Sequence, residues 1–154
     1  MAIEKVIEYF EGLGIADKIK QFDVSSATVE LAAAALGCEG ARIAKTLSFL
    51  ADGSAVLIVT AGDMKIDNHK FKEFFHTKAK MLSPEQVDEL VGHSIGGVCP
   101  FAVNDGCKVY LDVSLRRFDI VYPAAGNAAS AVELTPDELE KYSNSLAWID
   151  VCKS

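Results

Sequence analysis

The run Ala44-Lys45-Thr46-Leu47-Ser48-Phe49-Leu50-Ala51, then Asp52-Gly53, then Ala55-Val56-Leu57-Ile58-Val59-Thr60-Ala61, limits the fold more than any other stretch of the chain. Two apolar, strand-forming runs flanking an Asp-Gly pair predict two strands joined by a tight turn of the primed type. Lys45 therefore sits on a strand. Around this unit the sequence supplies helices. Ile3, Val6, Ile7 and Phe10 recur at i, i+3, i+4 and i+7, an amphipathic helix stopped near Gly12 and Gly14 that covers a sheet. An alanine-rich helix is expected over about 28–36, capped by Ser26 or Thr28 and ended by Gly37.

Two later starts are explicit. Ser83-Pro84-Glu85-Gln86 and Thr135-Pro136-Asp137-Glu138 each place a cap residue, a first-turn proline and an amide or acid at N3. Between them come an Asp105-Gly106 turn, the strand-like Cys107–Asp112 and Phe118–Tyr122, and Ser130–Leu134; Trp148–Val151 reads as a last strand. Strands and helices do not alternate regularly and two hairpins are expected. The predicted fold class is α+β, a curled mixed sheet flanked by helices. One domain over 1–154 accommodates this length, with no repeat or linker.

Composition removes several functions. Apolar residues make up 50% of the chain and mean hydropathy is +0.20, yet no run approaches the roughly 18–20 apolar residues that cross a bilayer. The N-terminus mixes charge and apolar residues at helical spacing, unlike a secretory signal, so a soluble protein of the cytoplasm with no membrane partner is expected. Cys38, Cys99, Cys107 and Cys152 form no CxxC pair and read as reduced, mostly buried thiols rather than zinc ligands. A formal charge of −7 argues against non-specific coating of nucleic acid, so a nucleic-acid partner must meet a local basic patch. Lys65, Lys70, Lys72, Lys78 and Lys80, against Asp67 and Glu73 alone, form one; a solvated helix face reads equally well.

Three constellations could carry chemistry. Lys45, with Arg42 three residues earlier, is either an edge lysine that snorkels or a cation offered to an anion at a pocket mouth. Gly96-Gly97-Val98-Cys99-Pro100 is either a plain turn or a loop whose bare N–H groups converge on a carbonyl oxygen that gains charge in acyl transfer. Ala124-Ala125-Gly126-Asn127-Ala128-Ala129-Ser130 lines a tight pocket or connects two strands, and Asp112 orients a neighbour or caps a turn. His69, His76 and His93 read as surface or satisfied histidines.

In order, these pieces resemble the YbaK-like and prolyl-tRNA synthetase insertion-domain family. The resemblance rests on Ala35-Leu36-Gly37, Lys45-Thr46, Gly96 to Pro100, Val109-Tyr110-Leu111-Asp112, Gly126 before Val132-Glu133-Leu134, and Pro136-Asp137-Glu138-Leu139. It spans roughly residues 13 to 151. It implies that family's mixed-sheet fold and hydrolysis of the ester joining an amino acid to the terminal adenosine of tRNA, without metal or organic cofactor. The implied partners are the aminoacylated tRNA 3′ end and, as an open question, a synthetase.

By that resemblance Lys45 engages the tRNA 3′ end, Gly96 and Gly97 serve the carbonyl, and Asp112 orients the site. Thr46, Val98, Cys99, Pro100, Gly126, Asn127 and Ser130 surround the substrate. Two departures stand out. Alanines and serine replace the arginine or histidine that relatives carry in the late loop, which points to a small uncharged amino acid such as alanine, serine or cysteine. Gly92-His93 stands where relatives often have a tyrosine. The competing reading is a non-catalytic module that binds tRNA or a synthetase.

Overall fold

The computed structural model describes residues 2–94 and 96–154. The chain opens with helix α1 (Ala2–Leu13), then the short strand β1 (Ile19–Gln21) and helix α2 (Val29–Leu36). The Thr28 hydroxyl accepts from the Leu31 N–H at the start of α2, and Gly37 ends it in the left-handed conformation. Strands β2 (Ile43–Ala51) and β3 (Ser54–Ala61) pair antiparallel through the expected two-residue turn, with φ of 51° at Asp52 and 77° at Gly53. After β4 (Lys65–Ile66) comes α3 (Asn68–Phe75), capped by the Asp67 carboxylate. Helix α4 (Pro84–Gln86) opens with a complete capping box and widens into a π-helical turn over Val87–Val91.

The second half adds β5 (Lys108–Asp112), β6 (Tyr122–Pro123), β7 (Ser130–Val132), α5 (Pro136–Ser143) with its own capping box, β8 (Ala147–Ile149) and β9 (Cys152–Lys153). Five strands form the main sheet in the order β6-β2-β3-β5-β8, mixed as expected: only β2 and β3 run antiparallel. Two ribbons, β1-β7 and β4-β9, flank it.

Alternation along β3 builds both layers. Leu57 and Val59 face Val6 and Phe10 of α1, Phe101 and Leu139; Val56 and Ile58 face Phe71 of α3 and Ile149. Burying Phe10 and Phe71 fully contributes ~1.5–3 kcal/mol each.

Two expectations need correction. The Asp105-Gly106 turn makes no hairpin, because β5 joins β3 in parallel. The Phe118–Tyr122 run is strand only at its end: Val113–Arg117 form a 3-10 helix started by the Asp112 carboxylate, and the Ile120 carbonyl bonds the Arg42 guanidinium at 3.4 Å instead of a strand.

Candidate active site

The outer edge of β2 faces a cavity of about 330 Å³, within the range of small-molecule sites. Lys45, Thr46, Leu47 and Ser48 form one wall, and the start of α2 with Ser26, Thr28 and Val29 forms another. Met81 and Leu82, the loop residues Gly96 and Val98, and Tyr122, Ala124, Ser130 and Ala131 complete it. Lys45, Thr46, Gly96, Val98 and Ser130 from the sequence-derived set thus share one pocket. Ser26, Met81 and Tyr122 carry no motif that points to the pocket, because each reaches it through pairing or loop docking distant in sequence; Ser48 joins it simply as the continuation of β2 beyond Lys45 and Thr46.

The polar groups of this pocket are unusually free. Thr46 Oγ1 and Ser26 Oγ are buried without a hydrogen-bond partner, whereas buried polar atoms are normally paired. Lys45 is half-buried and its ammonium donates to the Met64 carbonyl, leaving two further donors. Asp63, close to it, is held below the usual carboxylate range, chiefly by the hydrogen bond from Arg117 and more weakly by the charges of Arg117 and Lys45. Gly96 has φ +93°, with open space where a Cβ would stand. The N–H groups of Gly96 and Val98 have no partner among the described residues. Gly97 differs: its N–H donates to the Ser94 carbonyl at 3.0 Å, so it is not free to meet a substrate.

What Gly97 provides is closeness. A Cβ there would lie 2.6 Å from Asn127 Cα and 2.9 Å from the Gly126 carbonyl oxygen, so the two loops touch backbone to backbone. The late loop is braced in turn: the Ala129 N–H donates to Asn127 Oδ1 at 3.0 Å, and the Ala125 N–H to Ser130 Oγ at 3.2 Å. Gly126 and Asn127 do not line the pocket and meet the Gly96–Pro100 loop through Gly97. Ala128 and Ala129 also stand outside the lining, since their carbonyls accept from the Ser26 and Phe22 N–H groups and hold the segment before α2.

Three other sequence-derived residues lie elsewhere. Asp112 is 1% exposed and its carboxylate accepts from the Ser114 and Val151 N–H groups. Pro100 borders a different surface hollow beside Asn104 and Cys107. Cys99 is fully buried, 3.5 Å from His93 Nε2, which also bonds the Phe101 carbonyl at 2.8 Å. The geometry resembles a nucleophile–base pair, but the energetics oppose one: burial pushes the Cys99 thiol up to about 12 and holds His93 below its ordinary value. Neither lines the pocket.

The lining thus contains one cation and several hydroxyls, and among the described residues no His, Cys, Asp or Glu. No group of described residues is suited to hold a metal. What the lining offers is one ammonium, hydroxyls and backbone amides, groups that can position and polarise a bound substrate. The chain belongs to the aminoacyl-tRNA editing domain family, which matches residues 23–142. It is 52% identical over 154 residues to YwhH of Bacillus subtilis (strain 168), covering 99% of this chain and 98% of that one. It is 31% identical to the proline--tRNA ligase of Leuconostoc citreum (strain KM20) over 113 residues, covering 72% of this chain but only 19% of the ligase. In three dimensions it matches a proposed trans-editing enzyme for prolyl tRNA synthetase with a TM-score of 0.89 at 28% identity, covering 99% and 98% of the two chains.

Proposed function

We infer that this protein is a single editing domain that hydrolyses, in trans, the ester of a mischarged aminoacyl-tRNA carrying a small uncharged amino acid such as alanine, serine or cysteine. The observation that carries this reading is the pocket at the β2 edge, whose lining brings half-buried Lys45 together with Gly96 and Val98, two residues whose backbone amides have no partner among the described residues. An aminoacyl ester is activated already, so orientation and a site for the developing oxyanion supply most of what the reaction needs. Lys45 anchors a phosphate at the tRNA 3′ end. The Gly96 and Val98 amides receive the carbonyl oxygen, Gly97 holds them in place, and the terminal ribose hydroxyl directs water.

Ala124, Ser130 and Ala131 bound the space available to the side chain, which supports a small amino acid. The tRNA body approaches across Lys78 and Lys80, both exposed and directly before the pocket residues Met81 and Leu82; Lys70 is instead committed to Asp150 and the Cys152 carbonyl. Among the described residues the lining holds no carboxylate or imidazole, which equally suits a module that binds charged tRNA, or a synthetase, without turnover. Deacylation rates on alanyl-, seryl-, cysteinyl- and prolyl-tRNA separate the two. The expected result is hydrolysis of one or more of the first three; binding without hydrolysis of any of the four overturns the enzyme reading.

A further inference from the structure

The pocket exists because the outer edge of β2 is covered in two places and bare between them. In a two-residue hairpin Ala51 and Ser54 exchange hydrogen bonds, so the odd residues of β2 bond to β3 and the even ones turn their backbone groups outward. At Ala44 the edge is covered by β6, through Ile43 opposite Tyr122 and Ala44 opposite Pro123. At Ser48 and Leu50 it is covered by the Lys80–Leu82 segment: the Leu82 N–H donates to Ser48 at 3.2 Å and the Leu50 N–H to Lys80 at 2.8 Å. Thr46 falls in the interval, about 13 Å long at the usual rise per strand residue. Its N–H and C=O have no partner among the described residues, and its Oγ1 is buried and unpaired.

A single strand residue with both groups free presents a donor and an acceptor side by side, in the plane of the sheet. An ammonium would satisfy the carbonyl and leave the N–H bare; a phosphate would do the reverse. A planar edge with one donor beside one acceptor satisfies both. We propose that the Thr46 backbone pairs with the Watson–Crick edge of the terminal adenine, its carbonyl accepting from N6–H and its N–H donating to N1. This rests on the reading that the 3′ end of an aminoacyl-tRNA occupies the pocket. Tyr122, beside the interval on β6, gives the base an aromatic platform in the same lining. Hypoxanthine reverses the donor and acceptor. With the 5′-phosphate held by Lys45, an anchor that the free nucleotide and the tRNA end share, turning the base over to restore the match carries it off the Thr46 edge.

The test needs no change to the protein. Threonine labelled with nitrogen-15 reports five amides, Thr28, Thr46, Thr60, Thr77 and Thr135. Adenosine 5′-monophosphate is expected to move the Thr46 amide to lower field and leave Thr60 and Thr135 still, with inosine 5′-monophosphate at least tenfold weaker. Equal response to the two nucleotides, or no response of Thr46 to either, overturns the proposal. A mischarged tRNA ending in purine riboside, which lacks the N6 donor, is expected to raise KM about tenfold with kcat little changed. Should purine-terminated tRNA be hydrolysed as well as the normal one, the base pairing falls and the deacylase reading stands. Should Thr46 discriminate the nucleotides while no charged tRNA is hydrolysed, the pairing stands and the deacylase reading falls.

Discussion

Gly97→Ala offers the sharpest perturbation, because its effect follows from distances. The added methyl would sit 2.6 Å from Asn127 Cα, and ordinary contact begins at 3.4 Å, so the loops must part by about 0.8 Å. The neighbours it meets are backbone atoms of a loop braced through Asn127 Oδ1 and Ser130 Oγ, so the Gly96–Pro100 loop does most of the moving. Overpacking of this kind costs ~1–3 kcal/mol, or a Tm lower by roughly 2–12 °C for a domain of this size. A displacement approaching 1 Å at groups that orient the reacting carbonyl costs up to about 10²-fold in rate. The assay is kcat and KM for deacylation together with a melting curve. The expected pattern is a 10- to 100-fold fall in kcat, a small change in KM and a folded protein. Gly96→Ala meets open space and suffers only the strain of its positive φ, about 1–2 kcal/mol, so it should leave the Asn127 contact intact. Wild-type Tm and kcat in Gly97→Ala would refute the claim that the loops hold each other in register.

Lys45→Ala is expected to lower kcat/KM by ~10–100-fold, the worth of a charged hydrogen bond at ~1.5–3 kcal/mol, with the fold intact by circular dichroism. Ala124→Leu, which fills the pocket directly, should depress hydrolysis of seryl- and cysteinyl-tRNA more than alanyl-tRNA, whereas Ala128→Leu should leave the order unchanged because that residue does not line the pocket. Cys99→Ala should retain kcat, and blocking of Cys99 by thiol reagents should not occur in the native protein, since the thiol is fully buried and pushed up to about 12. Burial lowers the His93 pKa in the folded state, so stability is fully present above its ordinary value of 6.5 and declines as pH falls below it, where the unfolded chain takes up the proton first. Melting temperatures between pH 7.5 and 5.5 should therefore fall more steeply in the native protein than in His93→Gln.

Much of this was legible in the chain. The Asp52-Gly53 turn, both capping boxes and the Gly37 stop act through neighbours a few residues away, and each holds in the structure. Lys45-Thr46 and the Gly96 loop could be picked out because a charge in an apolar strand and a glycine pair break local pattern. What stayed hidden depends on pairing across the chain. The bare interval at Thr46 exists only because β6 and Lys80–Leu82 stop short of each other, and no local signal records where two distant segments end. Gly97 stands out in sequence as a source of a free N–H; only contact with Asn127 shows that its missing side chain is what counts. Asp112 carries the right chemistry for a site but is spent on the Ser114 and Val151 amides.

The most direct test of the central claim is a single-turnover time course, with protein in excess over the best mischarged tRNA from the panel. Hydrolysis is expected to rise with protein concentration to a plateau far above the spontaneous rate, and to fall toward the spontaneous rate in Lys45→Ala. Saturable binding of the charged tRNA with ester loss no faster than in buffer would contradict catalysis and leave a binding module.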